Sequence, residues 1–203
     1  MSISGNQAKG KIMQNYLIIC AGSTIMEYRK RIQSYINRIH PIVIGINNVA
    51  HLFKLDYHMW TNYRRFRSFY SGDSTKLIFS NSLYEKILEK KLYGFGSTYA
   101  ADDIILIHDE IERWRTAGIR AIQYANDNNH GTIDVVGMDG YSLKYNGNQH
   151  CYGVGSTDTD NKEYCKTKDK VMCANMLRMK KEGVKFRILT PTVFKKFYCD
   201  NIL

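Results

Sequence analysis

The sequence predicts an α/β fold: a single doubly wound, mostly parallel sheet with helices on both faces, Rossmann-like in plan. Three observations lead there. Short apolar runs of four to six residues recur along the chain, as strands buried on both faces require. Helix-compatible segments separate several of them, the rhythm of parallel β-α-β units. The chain has 203 residues, which at about 150 residues per domain argues for one domain.

In chain order, residues 1–14 read as a loose N-terminal tail and residues 15–203 as the domain. Tyr16 to Cys20 is the first strand, ending at Ala21-Gly22-Ser23-Thr24. Glu27 to Ile39 follows as a helix, with Ile32, Tyr35, Ile36 and Ile39 at helical spacing. Pro41 stops it, and Ile42 to Ile46 makes a second strand that ends at Asn47-Asn48. Tyr57 to Thr61 is a third, ending at Asn62 and followed by the basic segment Arg64-Arg65-Phe66-Arg67. Lys76 to Phe79 and Ile104 to Ile107 are the fourth and fifth. Thr116 to Asn128 is a helix, and Ile133 to Val136 a strand that ends at Gly137-Met138-Asp139-Gly140-Tyr141. A polar, glycine-rich stretch precedes a long helix over Asp160 to Glu182. Gly183 caps that helix, and Val184 to Leu189 is the last strand before Pro191.

Composition narrows the function classes. With 44% hydrophobic and 24% charged residues, and only 2 prolines, the chain is neither disordered nor collagen-like. The 29 basic residues exceed the 19 acidic ones by 10, which favours an anionic partner: a phosphorylated small molecule, nucleic acid or an acidic membrane surface. Basic residues are spread evenly and no nucleic-acid motif appears, so no specific nucleic acid is expected. Five cysteines without a C-x-x-C pair fit reduced thiols in a reducing compartment. Lys9 and Lys11 ahead of Tyr16 to Ala21 imitate a signal peptide. However, Gln14 and Asn15 interrupt the apolar core, so a buried strand is the better reading. No apolar run approaches the roughly 20 residues that cross a bilayer. The expected location is cytoplasmic, with contact at the inner face of a membrane left open, as is homo-oligomerisation.

Open α/β sheets bind ligands beyond the carboxyl ends of their strands. That rule selects Gly22, Ser23 and Thr24, Asn47 and Asn48, Asn62, and Asp139, Gly140 and Tyr141. The Gly22-Ser23 turn can offer N–H groups to a phosphate, but it equally fits an ordinary strand-to-helix turn. It carries neither a P-loop nor a dinucleotide fingerprint. Asn47 and Asn62 suit turns or ligand contacts alike. Arg64, Arg65 and Arg67 suit a solvated helix face or a phosphate contact. His150 lies in an irregular segment, where it suits an incidental loop histidine or a general base, a role that imidazole's unperturbed pKa near neutrality allows. Asp158-Thr159-Asp160 matches the D-x-D string of metal-holding sugar transferases and reads better as helix capping. No metal and no cofactor are expected.

These blocks, in this order, carry a resemblance: Leu17 to Ser23; Ile46-Asn47-Asn48; Thr61-Asn62; Thr116-Ala117-Gly118; Val136 to Tyr141; Tyr145; Asn148 to Gly153; and Phe186 to Pro191. The chain resembles the bacterial sialyltransferases that decorate lipooligosaccharide, and their motility accessory and pterin pyrophosphokinase-like relatives. The resemblance implies a doubly wound domain that binds a cytidine-monophosphate sugar without metal. It implies nucleotide contacts from Asn47 and Asn62, and a pocket lined by Thr116, Gly118 and Asp139. Tyr141 and Tyr145 would hydrogen-bond the donor phosphate, and His150 would be the general base on the acceptor. The family's Gly-Asn-Gly-Pro-Ser is replaced here by Ala21-Gly22-Ser23-Thr24. Tyr63-Arg64-Arg65 stands where the family carries apolar and small residues, which points to a different donor or acceptor. The chain ends soon after Leu189, leaving little room for a C-terminal membrane-associating segment.

The expectation is therefore a metal-independent inverting glycosyltransferase, with a nucleotide-sugar donor and a glycan or glycolipid acceptor. A pyrophosphokinase-like transferase, which needs magnesium and a nucleoside triphosphate, and a non-catalytic nucleotide or nucleic-acid binding module stand as alternatives.

Overall fold

A computed structural model describes residues 14–72, 75–90, 104–128, 131–143, 150–151 and 161–203. Among these residues, seven strands form one sheet: β1 Tyr16–Ile19, β2 Ile42–Ile46, β3 Tyr57–Trp60, β4 Lys76–Ser80, β5 Ile104–Ile107, β6 Ile133–Val136 and β7 Phe186–Ile188. Their order across the sheet is β5-β4-β3-β2-β1-β6-β7, and every pair is parallel. All seven expected strands are present, and the fold class is as the sequence predicts.

Among the described residues, six α-helices accompany the strands: α1 Thr24–Ile39, α2 Tyr63–Phe69, α3 Asn81–Glu89, α4 Asp109–Glu112, α5 Ala117–Asn128 and α6 Lys162–Lys181. The sequence reading omitted α3 and α4. Helix α3 buries only Leu83 and Ile87, one turn apart, too few positions for a periodic signal. Cys165 and Cys173 both lie on α6, and none of the five cysteines is in a disulfide.

The alternation of side chains along each strand separates two cores. On one face, Leu17, Ile19 and Val43 pack against Ile25, Ile32 and Tyr35 of α1. Further along that face, Trp60, Leu77 and Phe79 pack against Phe66 of α2 and Leu83 and Ile87 of α3. On the opposite face, Ile18, Ile44, Met59, Ile78 and Val135 meet Ile119 and Ile122 of α5 and Met172, Met176 and Met179 of α6. Helices thus cover both faces.

After β1 the chain builds outward through β2 to β5, then returns to place β6 and β7 on the other side of β1. The order reverses between β1 and β6, and a crevice opens at the carboxyl ends of those two strands. Among the described residues, no helix is long and apolar enough to cross a membrane.

Candidate functional site

The site begins where β1 and β6 run past their last paired residues. Cys20 N–H donates to the Val136 carbonyl at 2.8 Å, and Gly22 N–H to the Gly137 carbonyl at 2.9 Å. The two segments lie so close that a Cβ on Gly22 would sit 2.3 Å from the Gly137 oxygen. Gly137 has φ +69°, and a Cβ there would sit 2.3 Å from the Cys20 oxygen. Only glycine fits both positions. Asp139, buried, accepts from the Thr24 N–H at 2.9 Å and the Thr24 hydroxyl at 2.5 Å. It therefore anchors the first turn of α1 from 115 residues away in sequence, where a carboxylate complements the helix dipole.

Beyond these strand ends lies a cleft, open to solvent, with about 630 Å³ of empty space. Its floor is Cys20, Ala21, Gly22, Gly137 and Met138; its walls include Asn47, Arg65, Thr116, Gly118, Tyr141 and His150, with Asp139, Gly140 and Met172 completing one side. Nine of the expected site residues converge here: Gly22, Asn47, Arg65, Thr116, Gly118, Asp139, Gly140, Tyr141 and His150. Three others, Ser23, Asn62 and Arg64, do not line it. Ser23 occupies the N-cap position of α1, its hydroxyl buried without a partner. Asn62 is exposed and caps α2, its Oδ1 accepting from the Arg65 N–H at 3.1 Å. Arg64 is exposed on α2. Tyr145 lies outside the described residues, as do Asn148, Gln149 and the Asp158-Thr159-Asp160 string.

Each wall has a local cause. Asn47 takes φ +55° at the end of β2, a left-handed conformation that asparagine tolerates better than most residues. Two donors hold it there: the buried His58 ring Nε2–H and the Val49 N–H at 3.0 Å, both to the Asn47 carbonyl. The turn carrying Tyr141 is held from α6. Asp169, buried, accepts from the Tyr141 N–H at 2.7 Å, the Ser142 N–H at 2.8 Å and the Ser142 hydroxyl at 2.5 Å. His150 is fixed by a bridge to Gly22, and the next N–H, of Cys151, donates to the Ala21 carbonyl at 2.9 Å. The Tyr141 and His150 rings stand edge to face, 6.3 Å apart.

Two buried oxygens in the cleft walls have no hydrogen-bond partner, Asn47 Oδ1 and Thr116 Oγ1. An unsatisfied buried polar group costs about 1–3 kcal/mol, so a ligand that pairs with both regains that energy. The thiols are not candidate nucleophiles. Burial and the Asp139 charge push Cys20 well above the usual thiol range, and burial drives Cys151 up to about 12. Both stay protonated and weakly reactive near neutrality. Among the described residues no group of three or more His, Cys, Asp or Glu is placed to hold a metal ion.

Sequence reasoning missed Asp169 and His58, which act through the residues they hold. Asp169 reads as one acid among the lysines of a solvated helix. His58 gives only the weak signal of a polar residue inside an apolar strand.

No family model matches the chain, and no curated relative matches it. Two solved structures share its fold. One is a mammalian sialyltransferase in complex with Gal-beta-1-3GalNAc-ortho-nitrophenol, with TM-score 0.51 and 13% identity over 88% of this chain and 70% of that one. The other is a mammalian sialyltransferase with TM-score 0.50 and 12% identity over the same shares. The fold is sialyltransferase-like.

Proposed function

We propose that the protein is a metal-independent, inverting glycosyltransferase of the kind its sequence resembles, the bacterial lipooligosaccharide sialyltransferases. Its donor would be a CMP-linked sugar and its acceptor a hydroxyl of a glycan or glycolipid, met in the cytoplasm or at the inner face of the membrane. One observation carries the reading. The crevice at the sheet's switch point collects an imidazole, a guanidinium, a phenol and two unpaired buried oxygens around one open cleft. The sialyltransferase-like fold supports it.

The chemistry assigns the roles. The bond between the sugar's anomeric carbon and the donor phosphate breaks, and its electron pair leaves on the phosphate oxygen. Tyr141 and Arg65 stabilise that departing charge as hydrogen-bond donors, and the resemblance adds Tyr145, outside the described residues, to that role. The acceptor oxygen attacks the opposite face of the carbon, inverting it, and its proton passes to His150. Asn47 Oδ1 and Thr116 Oγ1 pair with hydrogen-bonding groups of the nucleoside. The donor set is amide, hydroxyl, phenol, guanidinium and backbone. Asp139, the carboxylate in the lining, already accepts two bonds from Thr24.

A thermal-shift panel of CMP, UMP, GDP, ADP and ATP, each with and without magnesium, tests this reading, since stabilisation follows affinity for the folded state. CMP is expected to raise the melting temperature without magnesium. A shift confined to magnesium with a triphosphate would replace the reading with a pyrophosphokinase-like transferase.

A further inference from the structure

Of the three clustered arginines on α2, one reaches the cleft, and it ends against the histidine. Phe66, 2% exposed, is wedged against Trp60 and Phe79 and fixes the rotation of the helix. Arg64 and Arg67 are then exposed, while Arg65 is half-buried and lines the cleft. Arg65 Nη2 lies 3.4 Å from His150 Nε2. A guanidinium only donates, and it keeps its proton throughout the physiological range. The ring nitrogen that faces it must therefore present its lone pair, which places the imidazole proton on Nδ1. That lone pair is the one a general base needs.

We infer that Arg65 is a latch on His150: its guanidinium selects the Nδ1–H tautomer and covers the Nε2 lone pair until an oxyanion of the donor draws the guanidinium away. Magnitudes favour the exchange. A 3.4 Å contact with a neutral ring nitrogen is long, whereas a guanidinium meets phosphate at about 2.7–2.9 Å through charge-assisted, frequently bidentate bonds. The donor phosphate therefore takes the guanidinium, and the lone pair becomes available to the acceptor hydroxyl. Donor binding precedes acceptor binding. Arg65 is thus a positioning residue for His150 as well as a donor contact. The binding order rests on the transferase reading; the tautomer does not.

The test is ¹⁵N imidazole NMR of the intact chain at mildly alkaline pH, with His150 assigned by loss of its signals in His150→Gln. In the wild type the His150 proton is expected on Nδ1. CMP should shift the Nε2 signal, and cytidine, which lacks the phosphate, should not. Arg65→Met should move the proton toward Nε2, abolish the CMP response and weaken CMP binding at least about tenfold, as loss of a charge-assisted bond does. Arg65→Lys, which keeps the charge, should retain the Nδ1 proton. A wild-type ring protonated on Nε2, an unchanged tautomer in Arg65→Met, or an Nε2 signal that cytidine shifts as much as CMP overturns the latch. These readouts need no turnover. A chain that transfers no sugar while its tautomer follows Arg65 would defeat the transferase reading and leave the tautomer selection intact.

Discussion

His150 and Asp169 divide the work of the site at the scale of single residues, and their variants should fail differently. Replacing His150 by alanine removes the proton acceptor and leaves the nucleotide contacts in place. Turnover is expected to fall about 10²–10⁴-fold, the usual worth of general-base assistance, with CMP affinity nearly unchanged. Steady-state kinetics beside calorimetric titration reads both. Full turnover in His150→Ala would remove it from the mechanism. Asp169 never meets the substrate in this scheme; it accepts three hydrogen bonds from the Tyr141–Ser142 turn. Asp169→Ala should destabilise the fold by about 1.5–3 kcal/mol, the worth of hydrogen bonds to a charged group. It should also weaken CMP binding, because Tyr141 loses its anchor. Urea unfolding and the same titration check this, and unaltered CMP affinity would separate the turn from the donor site.

At the scale of elements, the junction of β1, β6 and α1 depends on backbones that approach too closely for side chains. Gly137 and Gly183 make a controlled comparison because both have positive φ, +69° and +89°. A Cβ on Gly183, just past the end of α6, meets nothing within 4 Å. Gly183→Ala should cost only the left-handed strain, about 1–2 kcal/mol. A Cβ on Gly137 would meet the Cys20 oxygen at 2.3 Å and Ile25 Cγ2 at 2.5 Å. Gly137→Ala should cost more than Gly183→Ala and should also impair CMP binding, because the strand ends must part. Equal denaturant midpoints for the two variants would show that the junction yields easily.

For the whole molecule, buried weak acids set the alkaline limit of stability. Burial pushes the Cys20 thiol and the Tyr35 phenol upward, and drives Tyr124 and Cys151 to about 12. Tyr35 is raised further by its hydrogen bond to Asp134. Their ordinary values are 9.0 for the thiols and 10.0 for the phenols. Between those values and the raised ones, the unfolded chain loses protons that the folded chain keeps. Unfolding then releases protons, so stability falls as pH rises. The contribution is fully present below about pH 9 and declines from there upward. Urea midpoints measured between about pH 8 and pH 11 should drop steadily, and a flat profile would mean that these groups ionise freely in the folded state.

The sheet was legible because its central strands are buried on both faces and read as short apolar runs, Tyr16–Ile19 and Ile42–Ile46 above all. Strand ends follow from strands, so Gly22, Asn47, Asp139, Gly140 and Tyr141 could be named before any coordinates. What each strand-end residue does was decided in three dimensions. Asn47 and Asn62 look alike in the chain, yet Asn62 gives its oxygen to cap α2 while Asn47 turns an unpaired one into the cleft. Arg64, Arg65 and Arg67 look alike too. An α-helix rotates about 100° per residue, so a single buried neighbour, Phe66, determines which arginine faces the cleft. Asp139 reaches Thr24 across 115 residues, and Asp169 reaches the Tyr141 turn across 28. Local sequence patterns encode which segments must be buried. The partners of a polar side chain depend on which distant segments that burial brings together.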